Sequence, residues 1–295
     1  LFTVKNKNVE KVIKDWHQIQ TSIMRESHSV WWFRPKNGYN FGDEITPWLL
    51  NKMHKVELNQ PCDLNDSNVL LGVGSIMRLA NPNTEVWGSG IRNIDQSDFK
   101  GPKKVHAVRG PFTRRQLVNL GIDCPQVYGD PGLLLPLYYN PKIAKSYELG
   151  IIPHLVDYEA VKEKFGSDPG IKIIDLNTKD IESVVDQVLS CQNIVSTSLH
   201  GIITAVAYGI PVKWMRASDK INGDDIKFYD FFASLDVEVI NNFNKSTMKT
   251  DLKKWDPVSI DKISTGEELI KMCNLLPMDK INLKQLIKVC PFRYL

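Results

Sequence analysis

The sequence has few cysteines, and their arrangement excludes two common kinds of scaffold. The five cysteines are an odd number, and none forms a CxxC pair. This argues against a disulfide framework and against a zinc knuckle. They are expected to be free thiols in a reducing cytosol: Cys62, Cys124, Cys191, Cys273 and Cys290.

Long apolar runs and targeting signals are also missing. No apolar run reaches roughly 18 residues, so no segment is predicted to span a membrane. No signal peptide is evident, and because the chain begins with Leu1 rather than Met, a lost N-terminal signal is left open. We therefore expect a cytoplasmic protein, with peripheral association at the inner face of the cell membrane and the oligomeric state left open.

Net charge and nucleotide-binding motifs exclude further classes. The formal net charge of +3 is too small to imply a nucleic-acid partner, and no basic run is interleaved with aromatics. This mild excess would attract an acidic small molecule or an anionic surface. The glycine-rich turns form neither GxGxxG nor GxxxxGK[ST], so dinucleotide-binding and P-loop sites lack their fingerprints.

Short apolar segments alternate with helical patterns, which predicts an α/β protein with parallel sheets. We expect two Rossmann-like domains facing across a cleft, at residues 1–145 and 146–247. The Lys-rich tail, residues 248–295, has no strand signal and is expected to be helical and to pack back on the first domain. Strands are predicted at 29–34, 68–75, 84–90, 104–111, 127–132, 147–154, 171–176 and 212–216, and helices at 8–24, 43–50, 112–120, 158–165, 180–191 and 202–211.

The most informative stretch runs from Val195 to Gly201. A β-branched strand ends in small hydroxyl residues, His200 lies at the strand-to-helix turn, and the next helix aims its free N–H groups at the same point. Hydroxyls, an imidazole and a helix N-terminus suit an anionic ligand that undergoes proton transfer. The alternative is an ordinary βα turn with a histidine that fills space. A lone histidine would favour it, but the hydroxyl cluster and the matching motifs elsewhere favour the ligand site.

Polar residues follow the predicted strands at the edge where ligands of open α/β sheets bind, beyond the carboxyl ends. A cleft between the two domains would bring most of them together. They are Asn40, Gly42, Asp43, Gly74, Ser75, Ser89, Gly90, Arg109, Gly129 and Asp130 in the first half, and His154, Ser196, Ser198 and His200 in the second.

Three of these charged residues have structural alternatives. Asp43 is a candidate acid or base, but its spacing slightly favours an N-cap or first-turn carboxylate worth roughly 1 kcal/mol. Arg109 can hold a carboxylate or phosphate in a fork, and a surface ion pair is equally compatible. Asp130 in Gly-Asp-Pro-Gly is interpreted as a turn-forming residue.

Three further cations lie at or just beyond the end of the strand at 212–216. Arg216, Lys220 and Lys227 are positioned to receive an anion. A solvated loop is the alternative for any one of them, and it is less plausible for all three.

Taken in order, these motifs resemble the polysaccharide pyruvyl transferases over about residues 29–232, and their exopolysaccharide branch most of all. The motifs are the stretches 40–47, 72–75, 108–111, 129–131, 196–201 and 223–230. The resemblance implies a fold of glycosyltransferase-B type. It also implies transfer of the enolpyruvyl group of phosphoenolpyruvate to hydroxyls of a glycan sugar, forming a pyruvate ketal in bacterial exopolysaccharide or capsule biosynthesis.

The same resemblance assigns roles to residues. Asp43 is the acceptor-side base, and His200 is the general acid or phosphate partner. Some family members carry a basic residue where this chain has Ser198, so Arg216 and Lys227 are candidates for the missing cation. The predicted donor site is Arg109, Ser198, His200, Arg216 and Lys227, and the predicted acceptor site is Tyr39, Asn40, Asp43 and Ser75.

Phosphoenolpyruvate is then a donor substrate, and no metal or redox cofactor is expected. The acceptor is a saccharide, and whether it is lipid-linked stays open. Two alternatives remain: a sugar-nucleotide glycosyltransferase of the same fold, and a catalytically silent glycan-binding module.

Overall fold

The computed structural model describes residues 28–94, 100–236 and 252–292. The predicted helix at 8–24 lies outside the described residues. Inside them, the predicted alternation of strands and helices is confirmed, and the protein is an α/β protein with two parallel sheets.

The first sheet has four parallel strands in the order β1-β2-β3-β4. They are β1 (Ser29–Trp31), β2 (Val69–Leu71), β3 (Thr84–Trp87) and β4 (Lys104–Ala107), and the accompanying helices are α1 (Phe41–His54), α2 (Pro111–Asn119) and α3 (Leu135–Tyr138).

The predicted strand at 127–132 is wrong. Only a single bridge forms there, between Val108 and Tyr128. Asp130 begins a 3-10 turn, Pro131–Leu134, in which Pro131 is the first residue. Because proline has no backbone N–H and its φ suits the start of a helical turn, pairing ends at this point.

The second sheet has five parallel strands in the order β6-β5-β7-β8-β9. They are β5 (Tyr147–Ile152), β6 (Ile171–Ile173), β7 (Cys191–Ser196), β8 (Val212–Arg216) and β9 (Val258–Ser259). The helices are α4 (Tyr158–Phe165), α5 (Ile181–Leu189), α6 (Leu199–Ala207), α7 (Ile226–Ser234), α8 (Gly266–Met272) and α9 (Leu283–Lys288).

The tail differs from the expectation in one respect, because it contains a strand. Val258 and Ser259 pair with Met215 and Arg216 at the edge of the second sheet. A strand of two residues is too short to show an alternation of apolar and polar residues, so the sequence pattern could not predict it. The last helix, α9, then lies against the first sheet, where the backbone carbonyl of Leu286 accepts a hydrogen bond from Trp87 Nε1 at 2.8 Å.

The two sheets share apolar packing. One continuous cluster of buried side chains contains Phe41 and Leu133 from the first part of the chain together with Ile152 and Ile203 from the second. The boundaries expected at 145/146 and 247/248 stay a prediction. In the described part of the chain, no helix is long and apolar enough to cross a membrane.

Candidate active site

The candidate site lies where the carboxyl ends of the two sheets meet. The loop before α1 contacts the loop after β6, because Phe41 N donates to Leu176 O and Tyr39 N donates to Asn177 Oδ1, both at 2.9 Å. His200, from the second half of the chain, packs against the first turn of α1: a Cβ added to Gly42 would lie only 1.9 Å from His200 Nδ1. Glycine is therefore needed at position 42 for space.

His200 occupies the first turn of α6 and is largely enclosed, with 14% of its side chain exposed. Burial, together with the positive charges of Arg109 and Lys227, lowers its imidazole pKa to about 3. The ring is therefore neutral at neutral pH. Its Nε2 atom is buried and finds no hydrogen-bond partner among the described residues.

The residues around His200 leave the N-terminus of α6 available to a ligand. Ser198 is the N-cap residue, yet its side chain makes no capping hydrogen bond. Ser196 Oγ instead accepts from Ser198 N at 2.9 Å and donates to backbone carbonyls. A Cβ on Gly201 would lie 2.4 Å from Ser196 Oγ, so glycine at 201 permits this close packing.

Asp130 forms the predicted turn with one carboxyl oxygen and places the other near His200. Its Oδ1 accepts from Gly132 N at 2.9 Å, which is the expected turn-forming bond. Its Oδ2 is buried without a partner in the described structure and lies 4.0 Å from His200 Nε2. Burial raises the pKa of this carboxyl to about 6.

Asp43 lies in the first turn of α1, as one of its structural alternatives expected, but it is not the N-cap. Asn40 takes that position, and its Oδ1 accepts from Gly42 N at 3.1 Å. Asp43 is buried, with 8% of the residue exposed, and its Oδ1 would lie 3.2 Å from a Cβ on Gly74. Burial and, next, the neighbouring Glu44 raise its pKa to about 8, against the opposing effect of Arg92. In the ligand-free protein Asp43 is therefore mostly protonated at neutral pH.

Arg109 is completely buried, so the surface ion-pair interpretation is wrong. Its guanidinium donates to Asp230 Oδ2 at 3.1 Å, to Ser75 Oγ at 2.7 Å and to Ile91 O at 2.7 Å. Asp230 also accepts from the backbone N–H and hydroxyl of Thr113, at 2.9 and 2.6 Å. The guanidinium thus donates to groups of the protein itself. Because Ser75 Oγ accepts one of these bonds, its own hydroxyl proton is available to another acceptor.

The two predicted replacement cations differ. Lys227 on α7 makes no hydrogen bond or ion pair with its ammonium within the described residues. Burial and, next, the positive charges of Arg109 and Arg92 together lower its pKa to about 8. Arg216, in contrast, is 41% exposed and paired with Asp225 and, at 3.7 Å, with Asp219. Lys227 is the better candidate for an anionic ligand.

Sequence reasoning missed Arg92, a half-buried cation beside Asp43. It lies two residues beyond Ser89-Gly90. Burial is the largest cause that lowers its guanidinium pKa, and the positive charge of Arg78 is the second. The only local signal is its position two residues beyond Gly90, near the end of β3, where residues 90–94 form no strand or helix.

Sequence reasoning also missed Asp157, which joins three loops of the second sheet. This buried carboxylate accepts from Thr197 Oγ1 at 2.7 Å and from Ser218 Oγ at 2.5 Å. Thr197 Oγ1 in turn accepts from His154 N at 2.7 Å. The loops that follow β5, β7 and β8 are thereby held together beside the N-terminus of α6.

Tyr39 lies at the edge of the site, where the two halves of the chain touch. Its ring centre is 5.7 Å from the Arg34 guanidinium carbon and 5.5 Å from Lys179 Nζ. Arg34 comes from the β1 side and Lys179 from the loop after β6. Tyr39 and the N-cap Asn40 are therefore well placed on the rim, separate from the buried group formed by Asp43, Asp130 and His200.

Comparisons with known proteins identify a family for this chain. The family described as polysaccharide pyruvyl transferase matches residues 69–216. The chain is 40% identical over 209 residues to "Uncharacterized protein L143" of Acanthamoeba polyphaga mimivirus, a match that covers 68% of this chain and 72% of the viral protein. It is 27% identical over 212 residues to "Succinoglycan biosynthesis protein ExoV" of Rhizobium meliloti (strain 1021), covering 67% of this chain and 62% of the Rhizobium protein. The match thus spans less than two thirds of the Rhizobium protein.

Proposed function

The chain belongs to the polysaccharide pyruvyl transferase family, and from this premise we propose that it transfers the enolpyruvyl group of phosphoenolpyruvate to hydroxyls of a glycan sugar, forming a pyruvate ketal. One observation carries the proposal. Asp43, a protonated carboxyl, directly follows the Gly42 that packs against the neutral His200 ring, and the positive charge of Lys227 acts on that same ring at the N-terminus of α6. Such a set offers both proton transfer and anion binding.

The donor is proposed to bind by its two anionic groups. Phosphoenolpyruvate carries a carboxylate and a phosphate, which need cations and N–H donors. Lys227, the Ser198 hydroxyl and the first N–H groups of α6 supply them. Because Lys227 and Arg92 repel each other in the free protein, an anion placed near both would relieve this repulsion and gain affinity.

The chemistry then needs one proton donor and one acceptor. A proton is delivered to the methylene carbon, C2 becomes electrophilic, and a sugar hydroxyl adds to C2 as it loses its proton. Phosphate leaves from C2, and a second hydroxyl of the same sugar closes the ketal. One hydroxyl proton thus replaces the proton given to the methylene carbon, and the other leaves with phosphate.

The protonation states of the free protein favour Asp43 as the acid and His200 as the base. Asp43 holds a proton at neutral pH, and His200 does not. The resemblance implied the opposite assignment, in which Asp43 is the base. If Asp43 is the base, its carboxyl must lose its proton before each turnover. The pH dependence of the reaction therefore separates the two assignments.

Finer features belong to the same proposal. They are two Rossmann-like domains arranged as in glycosyltransferases of the B type, no metal or redox cofactor, and a cytoplasmic place of action that permits contact with the inner membrane face. A role in exopolysaccharide or capsule synthesis is supported by the name of the Rhizobium relative, which refers to succinoglycan biosynthesis.

The first test measures donor binding, because it needs no acceptor. Calorimetry with phosphoenolpyruvate is compared with calorimetry with a panel of sugar nucleotides, and Lys227→Met serves as the matched variant. Binding of phosphoenolpyruvate that weakens in Lys227→Met supports the proposal. Binding of a sugar nucleotide without any binding of phosphoenolpyruvate would identify a glycosyltransferase instead.

The second test measures turnover. Phosphate release from phosphoenolpyruvate is followed with and without a panel of methyl hexopyranosides. Release that depends on the sugar, with pyruvate appearing on the sugar by mass spectrometry, supports the transferase. Sugar binding without phosphate release from any donor would indicate a binding module.

A further inference from the structure

Two buried polar atoms face each other in the site without a hydrogen bond. They are His200 Nε2 and Asp130 Oδ2, which are 4.0 Å apart, and neither has a partner in the described part of the chain. The Asp130 side chain is fully buried. Buried polar atoms are nearly always paired in folded proteins, so two adjacent orphans require an explanation.

The surrounding structure holds both groups in place. Asp130 Oδ1 is fixed by Gly132 N at 2.9 Å. A Cβ added to Gly132 would lie 3.1 Å from Asp130 Oδ1 and 3.2 Å from Ile203 on α6, so the turn that carries Asp130 packs tightly against the helix that carries His200. On the other side of the imidazole, Nδ1 lies next to Gly42, one residue before Asp43.

We propose that Asp130 is a positioning residue for His200: its Oδ2 accepts a hydrogen bond from Nε2–H, which fixes the imidazole tautomer and presents the Nδ1 lone pair toward the first turn of α1. The 4.0 Å separation is roughly 1 Å longer than a hydrogen bond, and catalytic hydrogen bonds are often long before substrate binds. When His200 takes up a proton, Asp130 is then its counter-ion.

Two features support this arrangement over a purely turn-forming role for Asp130. The turn uses only Oδ1, so a turn-forming residue has no need of a second buried oxygen beside an imidazole. The other nitrogen, Nδ1, is the one on the side of Asp43 and the predicted acceptor residues. The assignment of Nδ1 as the group that receives a substrate proton rests on the proposed function, whereas the tautomer itself does not.

The tautomer can be measured directly. The protein, labelled with ¹⁵N at its six histidines, is examined by NMR at neutral pH, and the His200 signals are identified by their loss in His200→Gln. We expect a protonated Nε2 and an unprotonated Nδ1 in the native protein. A proton on Nδ1 would overturn the proposal without any variant of Asp130.

Asp130→Asn gives the decisive comparison. Its amide oxygen can keep the bond from Gly132 N, while its NH₂ group faces Nε2 as a donor. The proton of His200 should therefore move to Nδ1, and kcat should fall by about 10²- to 10⁴-fold with little change in phosphoenolpyruvate affinity. An unchanged tautomer in the folded variant would overturn the proposal.

A second variant covers the case in which Asp130→Asn does not fold. Asp130→Ser keeps an oxygen that can cap the turn and removes the group facing His200. We expect a melting temperature close to that of the native protein and a large loss of kcat, and native kcat in Asp130→Ser would contradict the proposal. If the tautomer responds to Asp130→Asn but phosphoenolpyruvate neither binds nor reacts, the proposed function fails and the Asp130–His200 pair stands.

Discussion

Arg109 and Asp230 form a fully buried ion pair across 121 positions of the chain, with Nε and Oδ2 separated by 3.1 Å. Gly110 makes the approach possible, because a Cβ there would lie 1.9 Å from the backbone oxygen of Asp230. The pair joins the loop after β4 to α7, the helix that also carries Lys227. Arg109 therefore fixes the helix that carries Lys227, and its predicted place in the donor site stays a prediction.

Arg109→Ala is expected to destabilise the protein before it affects donor binding. It leaves the Asp230 carboxylate buried without its counter-ion, and breaking such a pair costs about 3–5 kcal/mol. Chemical denaturation should show a loss of this size. Arg109→Lys should recover only part of it, because an ammonium cannot reproduce three divergent guanidinium bonds. Native stability combined with lost phosphoenolpyruvate binding would return Arg109 to the donor site.

Local patterns in the sequence predicted most of the secondary structure. The helix at Asp43–Pro47 and the strand and turn around His200 are both present, because capping residues, glycines and apolar periodicity act over a few positions. The same reasoning failed at Val127–Gly132, where the apolar run suggests a strand but the Asp130-Pro131 turn ends pairing.

The side-chain partners in the site could not be predicted in the same way. Arg109 finds Asp230, and Asp157 finds Thr197 and Ser218, across dozens of positions. No local signal identifies such a partner, because it is decided by how the two sheets pack. The sequence therefore indicated the edge of the sheets at which these side chains gather, but not which of the cations the protein holds in ion pairs of its own.

Asp157→Asn should lower activity through the position of the loops. The amide keeps one acceptor oxygen but turns a donor toward either Thr197 or Ser218, whose hydroxyls both donate to the native carboxylate. We expect a rise in KM for phosphoenolpyruvate of about tenfold, which corresponds to roughly 1.4 kcal/mol. Steady-state kinetics measures this. The control is the double variant Asp157→Asn/Ser218→Ala, which also lacks one of the two hydroxyls that face the new amide. Equal KM values in native and Asp157→Asn proteins would contradict it.

Lys227→Met should bind phosphoenolpyruvate more weakly and yet melt at a higher temperature. A charged hydrogen bond to the donor is worth about 1.5–3 kcal/mol, or roughly ten- to a hundredfold in affinity. The Lys227 pKa is lowered in the folded protein, so the charged side chain costs stability, and this cost grows as the pH falls from 10.5 through about 8. Methionine removes the charge and this cost with it.

The control for Lys227→Met is Lys227→Arg, which keeps the positive charge. It should retain most of the donor affinity and should not gain stability. Calorimetry and thermal melts at pH 7 measure both quantities on the same samples. Unchanged affinity in Lys227→Met would remove this residue from the donor site.

The pH dependence of kcat/KM distinguishes the two assignments of Asp43. If Asp43 is the acid, activity falls as the pH rises through about 8; if it is the base, activity rises over the same range. Lys227 also loses its proton at about pH 8 and would weaken donor binding. The profile is therefore measured in Lys227→Arg, whose cation does not titrate there. A profile in that variant that rises through pH 8 would assign Asp43 as the base.

Asp43→Asn is expected to be more stable than the native protein and nearly inactive. The Asp43 pKa is raised from 3.8 to about 8 in the folded state. The folded protein therefore has its full stability from this group below pH 3.8 and loses it progressively as the pH rises toward 8. At pH 7 the loss is up to about 4 kcal/mol, and the uncharged amide escapes it.

The same variant separates a functional Asp43 from a structural one. If the carboxylate only stabilised the first turn of α1, asparagine would leave turnover intact and lower the melting temperature slightly. We expect the opposite on both counts: a higher melting temperature at pH 7, a gain that shrinks as the pH falls toward 4, and turnover reduced by about 10²- to 10⁴-fold with native donor affinity. Melts at pH 4 and 7, calorimetry and turnover on one preparation measure these quantities. Retained turnover would make Asp43 structural, and lost donor binding would move it to the phosphoenolpyruvate site.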